Sequence, residues 1–186
     1  PVPALLSQTG VFANTSQLVP TTGLLPYEVN APLYSDGALK QRWIALPSAQ
    51  FIEFSADESW MFPEGTVFVK HFELALDERR PQERRRLETR ILVKDRAGEF
   101  YGMTYKWNAA QTDAELVTQA SVEELDVLTK AGELRRVRYF YPGPHDCFQC
   151  HTAGAGRVLG VKTSQLNRDL YDDAGDERNQ LDWWSS

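Results

Sequence analysis

Cysteine is scarce in this chain of 186 residues, which carries only Cys147 and Cys150. A scaffold stapled by several disulfides is therefore excluded. Histidine and methionine are nearly as rare, with three and two. No stretch is long and apolar enough to span a bilayer as a helix. No block of one charge sign dominates either. The formal net charge is −6, with both signs interspersed, and that argues against a general nucleic-acid binder. There is no internal repeat and no low-complexity tract. The start, Pro1-Val2-Pro3, has no initiator Met and no signal peptide, so the chain reads as processed or excised. Aromatic residues are plentiful, with five Trp, seven Tyr and nine Phe. The length suits one domain with a real core.

The apolar pattern predicts a mainly β fold, an antiparallel sandwich-like domain with a short helical and loop segment at its C-terminal end. Residues 1–186 form one domain in this reading. Residues 1–40 are a loop-rich wrap, punctuated by Thr21-Thr22-Gly23, Pro26, Pro32 and Ser35-Asp36-Gly37, with a short helix over 3–10 ending at Gly10. Residues 41–141 are the β core. The period of two marks strands over 42–46, 50–54 and 66–76. Both faces of the 66–76 strand are largely apolar, so it belongs inside a sheet. Val67, Val69 and His71 share one face, and Phe68, Phe72 and Leu74 share the other with Lys70. The surest hairpin pairs 87–94 with 99–107 around Asp95-Arg96-Ala97-Gly98. Further strands are read over 111–117 and 134–141, with a turn at 130–133. Residues 77–86 hold five arginines and read as a solvated hairpin tip or a docking patch. Residues 142–186 complete the chain, with a helix starting near 163 and an acidic tail that ends in adjacent Trp183 and Trp184.

Both cysteines fall in Cys147-Phe148-Gln149-Cys150-His151. This C-x-x-C-H spacing is the pattern of covalent haem attachment. Two thiols with two residues between them match the two vinyl groups on one porphyrin edge, and the next residue brings an imidazole under the iron. Other uses of two such thiols stay open. Half of a zinc site would need two more ligands, with His71 and His145 as the donors at hand. A redox dithiol would sit at a helix start in a βαβ unit, which Tyr139-Phe140-Tyr141-Pro142-Gly143-Pro144 does not resemble. A disulfide would close a strained two-residue loop.

These five residues resemble those of the c-type cytochromes. The wider order of segments is similar to a group of secreted bacterial β-rich proteins with a haem c motif. The similarity runs through 26–38, 40–44, 62–70, 86–90 and 159–167. The resemblance implies one covalent haem c, a place in the periplasm or outside the cell, and partners that are redox proteins or other cytochrome domains, with assembly into a larger complex. It departs from the small helical cytochromes c, because no methionine follows Cys150.

Expected site residues are Cys147, Cys150, His151 and Tyr141 around the cofactor, with His151 and His71 as iron ligands. Met103, His145 and Met61 are the other candidates for the sixth position. Tyr139 and Phe140 are expected haem neighbours. The expected function is electron transfer outside the cytoplasm. Two alternatives stand beside it: catalysis or small-ligand sensing at an open iron, and a β-sandwich interaction module using Trp43, Trp60 and Trp107.

Overall fold

The computed structural model describes residues 2–171 and 175–185. Pro1 and part of the acidic tail, Asp172 and Asp173, lie outside the described residues. The chain is mainly β and antiparallel. A 3-10 turn over Leu6–Thr9 ends at Gly10, whose φ of 77° is the left-handed value that favours glycine. Strands β1 (Phe12–Asn14) and β2 (Val19–Pro20) pair with each other. Then come β3 (Leu25–Pro26), β4 (Leu39–Ala45), β5 (Val67–Ala75), β6 (Arg84–Lys94), β7 (Phe100–Trp107) and β8 (Ala114–Leu116). These six form one sheet in the order β3-β4-β5-β6-β7-β8. Strands β9 (Ser121–Leu128) and β10 (Leu134–Tyr141) make a separate hairpin. The remainder is α1 (Cys147–Cys150), α2 (Thr163–Leu166), the short pair β11 (Asp169–Tyr171) and β12 (Glu177–Asn179), and α3 (Gln180–Trp184). No helix among the described residues is long and apolar enough to cross a membrane.

Strand alternation gives the sheet two different faces. One carries Trp43, Val69, Ile91, Met103, Tyr105 and Trp107, covered by Leu6, Phe12 and Leu24 from the N-terminal wrap. The other carries Ile44, Phe68 and Leu92, which pack against Val158, Val161 and Leu166 of the C-terminal segment. Further along this second face, Phe72 and Leu74 meet Leu125, Val127, Val137, Tyr139 and Tyr141 of the β9–β10 hairpin. Burying one such side chain contributes roughly 1.5–3 kcal/mol. Trp184 reaches back to Tyr27 and Trp60, with ring centroids 5.8 and 6.2 Å away.

The expected strands at 66–76 and 134–141 and the hairpin at 87–107 are present, and β5 lies inside the sheet as its two apolar faces require. Residues 50–54 are not a strand. Pro47 and Ala49, with φ 59°, turn the chain away, leaving Phe51 84 % and Phe54 62 % exposed and a lone bridge between Glu53 and Met61. The strand read over 111–117 shrinks to β8, because Gln111 is in a turn and accepts the Arg86 N–H at 2.7 Å. Strand β9 is hidden in the sequence by its acidic residues. Glu123 points inward, where Arg85 and Lys106 hold it at 2.6 and 2.9 Å. Burial raises its pKa, but bonds from Lys106, Arg85 and Tyr141 overcome this and bring it to about 2.

Residues 77–86 are not a free positive patch. Arg79, Arg80, Arg84 and Arg85 all face carboxylates, and Arg86 lies 4.7 Å over the Trp107 ring. Trp43, Trp60 and Trp107 are buried in the cores, which removes the groove imagined for an interaction module.

His71 is fully buried on the first face. Its Nδ1 is 2.8 Å from Thr89 Oγ1 and its Nε2 is 3.3 Å from Glu73 Oε1. Burial lowers its pKa from 6.5, against the raising effect of Glu73. A group whose folded pKa is depressed leaves stability intact above its unfolded value and weakens it as pH falls. Stability is therefore expected to decline below pH 6.5, measured by urea unfolding at a series of pH values. His71→Gln should flatten that slope, and an unchanged slope would contradict this assignment.

Candidate functional site

The site is built where β10 runs out. Pro142 and Pro144 interrupt the strand, and Asp146 fixes the turn that follows. Its carboxylate accepts the Gly143 N–H at 2.8 Å and the Gln149 amide at 3.1 Å. The single turn of α1 then presents Cys147 and Cys150. Cys147 is half-buried against β7 at Gly102. A Cβ on Gly102 would come within 2.9 Å of Cys147 Sγ and 3.1 Å of its Cβ. Glycine is needed there for space. Gly102→Val is expected to displace Cys147 and destabilise the fold by about 1–3 kcal/mol, read from urea unfolding. A wild-type midpoint would show that Cys147 does not need this surface.

His151 ends the turn and is held in a reciprocal clasp. Its Nδ1 lies 2.6 Å from the Arg157 carbonyl, and Arg157 Nη1 donates to the His151 carbonyl at 3.1 Å. A carbonyl only accepts, so Nδ1 carries the hydrogen and Nε2 keeps the lone pair. Among the described residues Nε2 has no hydrogen-bond partner. Burial lowers the His151 pKa, partly opposed by the Arg157 carbonyl and reinforced by Lys70 and Arg90. The ring is thus neutral near pH 7.

His151, Cys147 and Cys150 line a cleft of about 340 Å³ on the second face of the sheet. That volume lies in the usual range for cofactor pockets. Val29, Phe68, Leu92, Val158 and Leu159 make its apolar walls, and Arg42, Lys70 and Arg90 form its charged floor. Burial, with Arg42, Arg90 and Lys40 nearby, pushes the Lys70 ammonium down to about 8. Beside the floor, the fully buried Glu88 binds Arg90 Nη2 at 2.5 Å and the Tyr139 hydroxyl at 2.7 Å.

The chemistry of this donor set can be compared with each use of the thiols. Burial pushes the Cys147 thiol up, against the smaller lowering effect of Arg90. A reactive dithiol needs the opposite shift. Zinc needs four ligands, and no group of three or more His, Cys, Asp or Glu side chains able to hold a metal ion is assembled among the described residues. A porphyrin held by two thioethers and one imidazole asks for less: two thiols one turn apart, a ring nitrogen with its lone pair available, and apolar walls. The residues present fit such a group.

The other expected residues are not brought to this place. His71 is on the opposite face of the sheet from Lys70 and the cleft, with both ring nitrogens already partnered. Its expected role as second iron ligand is corrected on that ground: strand parity points it into the other core. Tyr141 is buried between the β9–β10 hairpin and the main sheet, its hydroxyl donating to Glu123 at 2.9 Å, and it does not line the cleft. Tyr139 is likewise committed to Glu88, and Phe140 points outward. Met103 borders the cleft, but its side chain belongs to the first core, where its sulfur accepts from the Tyr105 hydroxyl at 3.8 Å. His145 and Met61 are exposed. Sequence reasoning missed Arg42, Lys70, Arg90, Gly102 and the Arg157 carbonyl. Their roles depend on strand register and loop path, neither of which leaves a local signal.

No family model matches the chain, no curated protein matches it, and no solved structure matches it. With no such match and no assembled metal-binding group among the described residues, nothing places the chain in the c-type cytochromes. That family resemblance is corrected here, together with the likeness to secreted haem-motif proteins. Any role for Cys147, Cys150 and His151 rests on their own geometry.

Proposed function

We propose that the cleft carries one covalently attached haem, joined by thioethers to Cys147 and Cys150 and ligated by His151, and that the protein transfers electrons outside the cytoplasm. The observation that carries this reading is the His151 clasp. The Arg157 carbonyl takes the Nδ1 hydrogen, which orients the ring, raises its basicity and leaves Nε2 as the donor beside two thiols. When bound, the group supplies one-electron chemistry at its iron. The chain's own tasks would be to hold it, to exclude water with Val29, Phe68, Leu92 and Val158, and to set its potential through burial and the His151 imidazole. Thioether attachment implies a periplasmic or extracellular site and a redox protein as partner.

A second reading is chemistry or ligand sensing at an open iron position. It is favoured by the placement of His71 and Met103, whose side chains both belong to the opposite core. Spectra of oxidised and reduced protein, with a pyridine haemochrome assay, test the haem itself. Carbon monoxide added to the reduced protein separates the two readings, since only an open position binds it without displacing a ligand.

A further inference from the structure

The floor of the cleft contains an arrangement that the haem reading does not use. Strand register places Arg42, Lys70, Arg90 and Thr104 directly opposite one another across β4, β5, β6 and β7. Three cations therefore stand side by side on one rung of a buried face, and like charges directly opposite are destabilising. Their compensation is incomplete. Glu88 pairs with Arg90. Among the described residues, the side chains of Arg42 and Lys70 make no hydrogen bond and no ion pair. Arg42 feels Tyr27 and Glu28 only through the field, and Glu28 is paired with Arg168 at 2.9 Å. Lys40, one rung further on, is already bonded to the Leu33 and Ala38 carbonyls. Arg42 is buried, and buried Arg90 Nε and Thr104 Oγ1 have no hydrogen-bond partner. Two cations on neighbouring strands, one buried and one half-buried, thus stand at the cleft floor with no carboxylate bonded to either among the described residues.

We propose that Arg42, Lys70 and Arg90 form a binding site for a small oxyanion at the floor of the cleft. A planar or tetrahedral oxyanion would accept from two guanidinium groups and one ammonium, with the Thr104 hydroxyl as a further donor. It would turn the repulsive rung into a satisfied cluster. The argument is independent of what Cys147 and Cys150 hold.

The test is isothermal titration with sulfate at constant ionic strength, on the protein as isolated and on Cys147→Ala/Cys150→Ala. Saturable one-site binding is expected in both. Lys70→Met, which keeps the chain's bulk, should weaken it at least tenfold, and Arg42→Gln is the second variant should the first not fold. Arg79→Ala, on the exposed hairpin, should leave it unchanged. Absence of saturable binding would overturn the proposal, as would binding that survives both floor variants. Binding confined to the double cysteine variant would also overturn it, because a macrocycle's own carboxylates would then occupy the cations. Loss of the haem reading, judged from the mass of the denatured protein, leaves the sulfate result standing.

Discussion

Glu88→Ala is expected to destabilise the fold by about 3–5 kcal/mol, the usual cost of removing one partner from a buried ion pair. Glu88 has no exposed surface, and it holds Arg90 at 2.5 Å and the Tyr139 hydroxyl at 2.7 Å. Arg90 is on β6 itself, so the Tyr139 bond is what ties Glu88 to the β9–β10 hairpin, beside the Arg85–Glu123 pair and the apolar packing of the two layers. Removing it also leaves Arg90 beside Lys70 and Arg42 with no acid on the adjacent rung. Tyr139→Phe removes only one bond, and its expected cost is about 1–3 kcal/mol. Urea unfolding followed by tryptophan fluorescence would show the two midpoints in that order. A Glu88→Ala protein within about 1 kcal/mol of wild type, set against the same 3–5 kcal/mol expectation, would mean that the hairpin is held by apolar contact and the Glu123 pairs without Glu88.

The second large effect concerns the imidazoles. His151→Ala is expected to lower the yield of haem-loaded protein at least tenfold, since even indirect support of a metal ligand is worth ten- to a hundredfold. His71→Gln should leave the visible spectrum unchanged and show only in stability and its pH slope. The contrast separates a ring at the cleft from a ring in the opposite core. A spectrum altered by His71→Gln and untouched by His151→Ala would reverse the assignment.

Much of this fold could be read from the sequence because the physics is local. The alternation of Leu87, Thr89, Ile91 and Val93 with mostly polar neighbours, and the Asp95-to-Gly98 turn, define their hairpin without outside help. Strand β9 could not be read so easily. Its Glu123 looks solvent-facing in sequence, and only Arg85 and Lys106, 38 and 17 residues before it, make its inward position tolerable. The site divides in the same way. Cys147, Cys150 and His151 are contiguous, so their spacing carries the chemistry. The rest depended on long-range register. Sequence parity already put Lys70 and His71 on opposite faces of β5, but which face the C-terminal segment covers is decided by packing. A buried imidazole such as His71 needs a partner, and Thr89 and Glu73 supply one that needs no iron.

The most direct measurement is the intact mass of the full-length protein after denaturation, from cells able to attach haem by thioethers. The expected result is the polypeptide plus one haem, retained through acid–acetone extraction and lost in Cys147→Ala/Cys150→Ala. A denatured wild-type protein with the mass of the polypeptide alone, matured beside a control that does acquire its haem, would contradict the account.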